Sequence, residues 1–186
     1  MDALDPLLSR VSAQTLAEPA PQGEVLARIL SAAARAPDHG KLRPWRFVTI
    51  AGEARARLVA VLLAAARARD PQVPDQVLEK FRTRFGGTPL VIAVGAALQP
   101  QNKIPELEQI LTVGAATMNV LNALHLAGFA GLWVTGPNAY DPQVAAALGF
   151  APPDKLLGFL LVGSHAGEIP HPPRQEVGRF VRDWNG

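Results

Sequence analysis

Four side chains stand out as able to hold an anion or an organic cofactor: Arg10, Ser12, Arg35 and His39. Arg10 and Ser12 are two positions apart, so in extended backbone both point the same way and a guanidinium and a hydroxyl can share one phosphate. The plain alternative is a surface arginine beside a turn serine. Arg35 and His39 flank Pro37 in Ala32-Ala-Ala-Arg-Ala-Pro-Asp-His-Gly-Lys-Leu-Arg-Pro-Trp-Arg-Phe47. Proline ends the alanine-rich helix there, and a turn tipped by Gly40 carries both side chains outward. Each also has a structural use, Arg35 against the dipole of the last helical turn and Asp38-His39 as a turn device. Further along, Trp133-Val134-Thr135-Gly136 ends an apolar strand in a glycine turn, where backbone amides are free to meet a ligand. Core packing is the competing role for Trp133.

Several chemistries are excluded by composition. With no cysteine among 186 residues there is no disulfide, no thiolate metal site and no cysteine nucleophile. The histidines at 39, 125, 165 and 171 lack metal-ligand spacing, and Ser12, Ser31 and Ser164 are not in a nucleophile-elbow context. No GxGxxG or GxxxxGK[ST] run occurs, so a phosphate must be held by side chains, and hard chemistry must come from an organic cofactor. The 18 Lys+Arg against 16 Asp+Glu leave a net charge of +2, and the arginines are scattered, which argues against nucleic acid as a partner. Met-Asp-Ala-Leu-Asp lacks the basic and apolar regions of a signal peptide, so a cytoplasmic address is the default.

Residues 109 to 140 carry no Asp, Glu, Lys or Arg. Gln109, Thr112, Asn119, Asn122 and His125 interrupt the run, and Gly128 to Gly136 breaks it, so a buried helix and strand are expected rather than a membrane span. The elements that position the site follow from periodicity and breakers within one domain, 1–186. Helices are expected to Leu8, over 23–35, 53–69, 105–127 and 142–148, the arginines of the third pointing outward. Strands are expected over 44–50, 89–98, 131–135 and 156–162. A polar excursion over 70–88 with one helical piece reads as a lid. The tail, 165–186, with Pro170, Pro172 and Pro173 before Phe180 and Trp184, reads as extended and better packed on a partner subunit than on a finished core.

The segments Met1 to Ser12, Arg35-Ala-Pro-Asp-His39, Pro44-Trp45 and Gly131-Leu-Trp-Val-Thr-Gly136, in this order and at these separations, resemble the nitroreductase family, and most closely its small members. The likeness runs over essentially the whole chain. It implies an α+β fold with a mostly antiparallel central sheet and an intertwined homodimer with FMN at the interface. The implied FMN site takes in Arg10, Val11 and Ser12, then Arg35, Pro37, His39 and Leu42 with Arg35 and His39 reaching in from the partner subunit, then Trp133, Val134 and Thr135. It makes the 109–127 helix a dimer core. It also implies a ping-pong reaction in which NADH or NADPH reduces the flavin and a nitroaromatic or quinone reoxidises it. A flavin-binding carrier or sensor without turnover, and a structural dimer without flavin, are the competing readings.

Two positions depart from the family pattern. Val11 stands where relatives carry a second arginine, and Val134 where they read Trp-Arg-Ser or Trp-Arg-Thr. Losing a charge-assisted phosphate contact costs about 1.5 to 3 kcal/mol, so FMN retention is expected to be weaker than in relatives unless Arg174 or Arg179 substitutes.

Overall fold

The computed structural model describes residues 2–169 and 172–186. In chain order its elements are α1 (Asp5–Ser9), β1 (Leu16–Ala17), α2 (Gly23–Ser31), β2 (Trp45–Ala51), α3 (Ala54–Arg69), α4 (Asp75–Phe81), β3 (Leu90–Ala96), α5 (Glu106–Leu126), β4 (Ala130–Val134), α6 (Pro142–Ala147) and β5 (Lys155–His165). Pro170 of the expected tail and His171 lie outside the described residues.

The sheet is built on β3 and β5. All residues of β3 are buried, as its unbroken apolar run requires, and it pairs with β2 on one side and β5 on the other. β5 takes β4 along its other edge and β1 at its far end, and every one of these pairings is antiparallel. Alternation then sorts the side chains to two faces. Leu90, Ile92, Val94, Leu160 and Val162 meet α2 and α5, while Val91, Ala93, Phe159 and Leu161 meet α3 and α6, with Phe85 set edge-on to Phe159 at 5.3 Å. The register shifts at Val94/Gly95. Gly95 is required there, because a Cβ on it would stand 2.1 Å from the Phe150 ring.

The expected α+β architecture is present, with three changes of detail. The second helix stops at Ser31 and tightens into a 3₁₀ turn over Ala32–Arg35 before Pro37. The last strand runs on to His165, because its end is covered by β1, a two-residue strand too short to leave a periodic signal. Two arginines of α3 are not simply outward. Arg55 donates to the carbonyls of Gly86 and Thr88, and Arg69 reaches the buried Asp141. The 70–88 segment contains α4, continued by a π-helical turn over Arg82–Gly86.

Candidate functional site

Residues 10 to 13 run beside the start of β4, with Ser12 bridged in parallel to Gly131 and Ala13 N–H donating to the Gly131 carbonyl at 3.3 Å. Extended backbone makes side chains alternate here. Val11 is buried at 8% exposure, Ser12 is exposed and Arg10 is half-buried. Arg10 Nη1 is fully buried and has no hydrogen-bond partner among the described residues. Arg174, from the tail, donates through Nη2 to the Arg10 carbonyl at 2.7 Å. Burial, and secondly the like charge of Arg174, lower the Arg10 pKa. Among the described residues no carboxylate pairs with either arginine. Two cations therefore converge on a hydroxyl-bearing edge with no carboxylate among the described residues to neutralise them.

At the far end of β4, Trp133 lies on the α5 side and Val134 on the α3 side. Trp133 Nε1 is buried without a partner and stands over Gly158, where a Cβ would come within 2.6 Å of it. Thr135 is exposed, and Gly136 takes φ +111, a conformation that favours glycine. The loop that follows is pinned. Asp141 caps α6 by accepting from the amides of Gln143 at 2.8 Å and Val144 at 3.3 Å, and Arg69 donates to both Asp141 and Asn138 Oδ1. Burial pushes the Asp141 pKa up, but the Arg69 hydrogen bond and the two amides outweigh it and hold the carboxyl below its ordinary value. Asn138 Nδ2 is the third buried nitrogen left unpaired.

The turn carrying His39 is strained and well braced. Gly40 (φ 72), Lys41 (φ 55) and Arg43 (φ 50) are all left-handed, a costly conformation for the two side-chain-bearing residues. Asp38 offsets part of that cost by accepting from the amides of Leu42 at 3.1 Å and Arg43 at 2.8 Å. His39 Nδ1 meets Glu108 Oε2, in the first turn of α5, at 2.6 Å. A carboxylate only accepts, so Nδ1 carries the proton and Nε2 is left for another partner. Arg35 and Pro37 are exposed and Leu42 is half-buried.

The ten expected site residues thus form two groups. Arg10, Val11 and Ser12 share one edge with Trp133, Val134 and Thr135, whereas Arg35, Pro37, His39 and Leu42 gather elsewhere. His39 is tied to Glu108 at the start of α5, and Ser9, next to Arg10, is tied to His125 at its end by a 3.1 Å hydrogen bond. At 1.5 Å per residue these anchors are roughly 25 Å apart, so one protomer does not bring His39 and Arg10 onto one mononucleotide. Glu108 and His125 were not singled out as site residues. Their partners are distant in sequence, so no local spacing marks them.

The Nitroreductase family profile matches residues 7–164. The chain belongs to the nitroreductase family. This nitroreductase-family chain is 42% identical over 164 residues to "Putative NAD(P)H nitroreductase YdjA" of Escherichia coli (strain K12), covering 88% of each. It is 35% identical over 165 residues to a Haemophilus influenzae protein also named for NAD(P)H nitroreductase activity, covering 88% of this chain and 89% of that one. Among solved structures, a nitroreductase-like family protein from Bacillus cereus superposes with TM-score 0.84 at 22% identity, over 100% of this chain and 97% of the other. The FMN and NADPH-dependent nitroreductase NfnB from sphigopyxis sp. strain HMH gives 0.78 at 20% identity over the whole of both. At such identities these two likenesses show the nitroreductase fold.

Proposed function

We propose that the chain is an FMN-dependent NAD(P)H oxidoreductase that reduces nitroaromatic or quinone-type acceptors in a ping-pong order, as a cytoplasmic homodimer. The observation that carries this reading is the buried, unpartnered Arg10 Nη1 beside Arg174 and Ser12. A phosphate is the group that fits two guanidiniums and a hydroxyl with no carboxylate between them. Bound there, FMN would supply the hydride and electron transfer that none of the chain's own side chains offers. Arg10, Arg174 and Ser12 would hold its phosphate end. The 133–135 segment would bear on the ring end, Thr135 and the free strand-end amides orienting it. Val11 and Val134 would contribute through their backbone, since Val11 is buried and Val134 packs toward α3 and α6. No side chain is needed as a chemical acid or base.

The dimer supplies the second group. Leu107, Leu111, Met118 and Leu126 are exposed along one stripe of α5 at spacings of four, seven and eight residues, with Gly114 open between them. Among the described residues no helix is long and apolar enough to cross a membrane, so a second copy is the fitting cover for this stripe. Two α5 helices running antiparallel about a two-fold near residues 114 to 118 would set Arg35 and His39 of one protomer beside Arg10 of the other. Val177, Phe180, Val181 and Trp184, all exposed in the tail, would pack on the partner. The 70–88 segment, the expected lid, walls a cavity of about 720 Å³ lined by Gln76, Glu79, Lys80, Thr83 and Arg84 together with Gln14 and Thr15, and would close over that cavity, which none of the ten expected site residues lines.

The test is spectroscopic. Purified protein, reconstituted with FMN, should show the flavin absorption bands, bleach on addition of NADH or NADPH and recolour with a quinone. Protein that takes up no FMN, or holds it without bleaching, would sink the proposal.

A further inference from the structure

We propose that Glu108 is a positioning residue for the flavin. It fixes His39 as the Nδ1–H tautomer, so that Nε2 accepts a hydrogen bond from a ribityl hydroxyl of the cofactor held at Arg10 of the other protomer. The inference rests on the FMN reading above and adds to it a residue that itself touches no cofactor atom. His39 Nδ1 donates to Glu108 Oε2 at 2.6 Å. Both side chains are open to solvent, at 64% and 44% exposure, and an ion pair or hydrogen bond so exposed adds little to folding stability. Its geometry is nevertheless held from both ends. On the α5 side, Gln109 is 2% exposed and stitches the helix start to the preceding loop, accepting from the Gln99 amide at 2.9 Å and donating to the Ile104 carbonyl at 2.9 Å. On the His39 side, the left-handed Gly40 lies so close to that loop that a Cβ on it would stand 3.1 Å from Ile104 Cγ1. The turn therefore leans on the start of α5 at two adjacent points, one apolar and one polar. A strained turn anchored twice to present one imidazole to solvent fits a ligand contact better than a folding role. With Nδ1–H committed to the carboxylate, the other ring nitrogen offers a lone pair, which suits a hydroxyl and not a phosphate.

Three flavins divide the cofactor by chemistry. FMN carries the phosphate and the ribityl chain, riboflavin lacks the phosphate, and lumiflavin lacks both. In the full-length protein Glu108→Ala should weaken FMN and riboflavin alike, by about three- to tenfold, the loss of one neutral hydrogen bond, and leave lumiflavin affinity unchanged. Glu108→Gln keeps an acceptor oxygen and loses the charge, so it should restore most of that affinity. His39→Ala should match E108A, and the double variant should lose no more than either alone. Nitrogen NMR of the imidazole at about pH 9, above the ordinary histidine value, should report the Nδ1–H form of His39 in the wild type and E108Q, and mainly the Nε2–H form in E108A. An E108A protein that loses FMN but keeps riboflavin would assign His39 to the phosphate and overturn the inference. So would unchanged affinity for all three flavins, an equal loss of lumiflavin, or an E108Q protein as weak as E108A. If the wild type binds none of the three, the FMN reading itself falls and this inference falls with it.

Discussion

On the α3 side of the sheet, Arg69 reaches into the fold to satisfy Asp141 and Asn138, and Asp141 in turn caps α6. On the α5 side, Arg10 and Trp133 each keep a buried nitrogen without a partner, and leucines lie bare along the helix. Asn138 Nδ2 is the exception on the closed side, one unpaired donor on a residue whose oxygen is bonded. A chain that finishes one face with its own charges and leaves cations and apolar surface open on the other has divided its sequence between folding and binding. The unpaired groups cost stability in the free protomer and are offset only when something else arrives.

The contrast can be broken from either side. The largest effect is expected on the open face. Replacing Leu111 by Lys puts a charge in the α5 stripe twice per dimer. With about 1.5 to 3 kcal/mol for each buried leucine, association should fall by several orders of magnitude. Sedimentation would show monomer that melts much as the wild-type monomer does, while FMN affinity drops because the Arg35 and His39 group is lost. A dimer that survives would mean that the stripe is not the interface.

On the closed face, Arg69→Ala should cost about 3 to 5 kcal/mol, since it strands a buried carboxylate. Thermal or denaturant unfolding measures this. Flavin affinity of the folded fraction should scarcely change, and a variant that melts normally but loses flavin would erase the proposed division. Next in size, Arg35→Ala should release FMN by about 10- to 100-fold with little change in stability, as the residue is exposed and makes no hydrogen bond or ion pair among the described residues. Flavin content after dialysis reads it out, and unchanged content would remove Arg35 from the site.

The smallest expected effect is pH dependence on the closed face. The Asp141 carboxyl titrates lower in the fold than in the unfolded chain, so its contribution is complete above the unfolded value of about 3.9. It should disappear as pH falls from there through the lowered native value. Asp141→Asn should flatten that part of the acid-unfolding profile while leaving stability near neutral pH reduced.

Much of this was legible in one dimension. The apolar run of β3, the breaker at Pro37 and the glycine turn after Trp133 were visible because each acts on its own backbone neighbours. Ser12 and Arg10 could be paired because alternation in extended chain is a local rule. The same rule implied that Val11 would point away from them, but not that its side chain would be buried. β1 escaped notice because a two-residue strand has no period and exists only by pairing with the end of β5. The Arg69 to Asp141 tie spans α4, β3, α5 and β4, so the outward reading of Arg69 failed for lack of any local sign.

By itself the sequence determined most of the element types, because periodicity and breakers are properties of neighbouring residues, and through its family likeness it offered the antiparallel α+β class and a short list of candidate site residues. Only the tertiary structure decided how those residues are grouped. It set Arg10 beside Arg174, turned Val11 and Val134 inward, and placed His39 at the opposite end of α5 from Arg10, since these relations depend on which strands pair and how long one helix is, and neither is written in the spacing of the residues concerned.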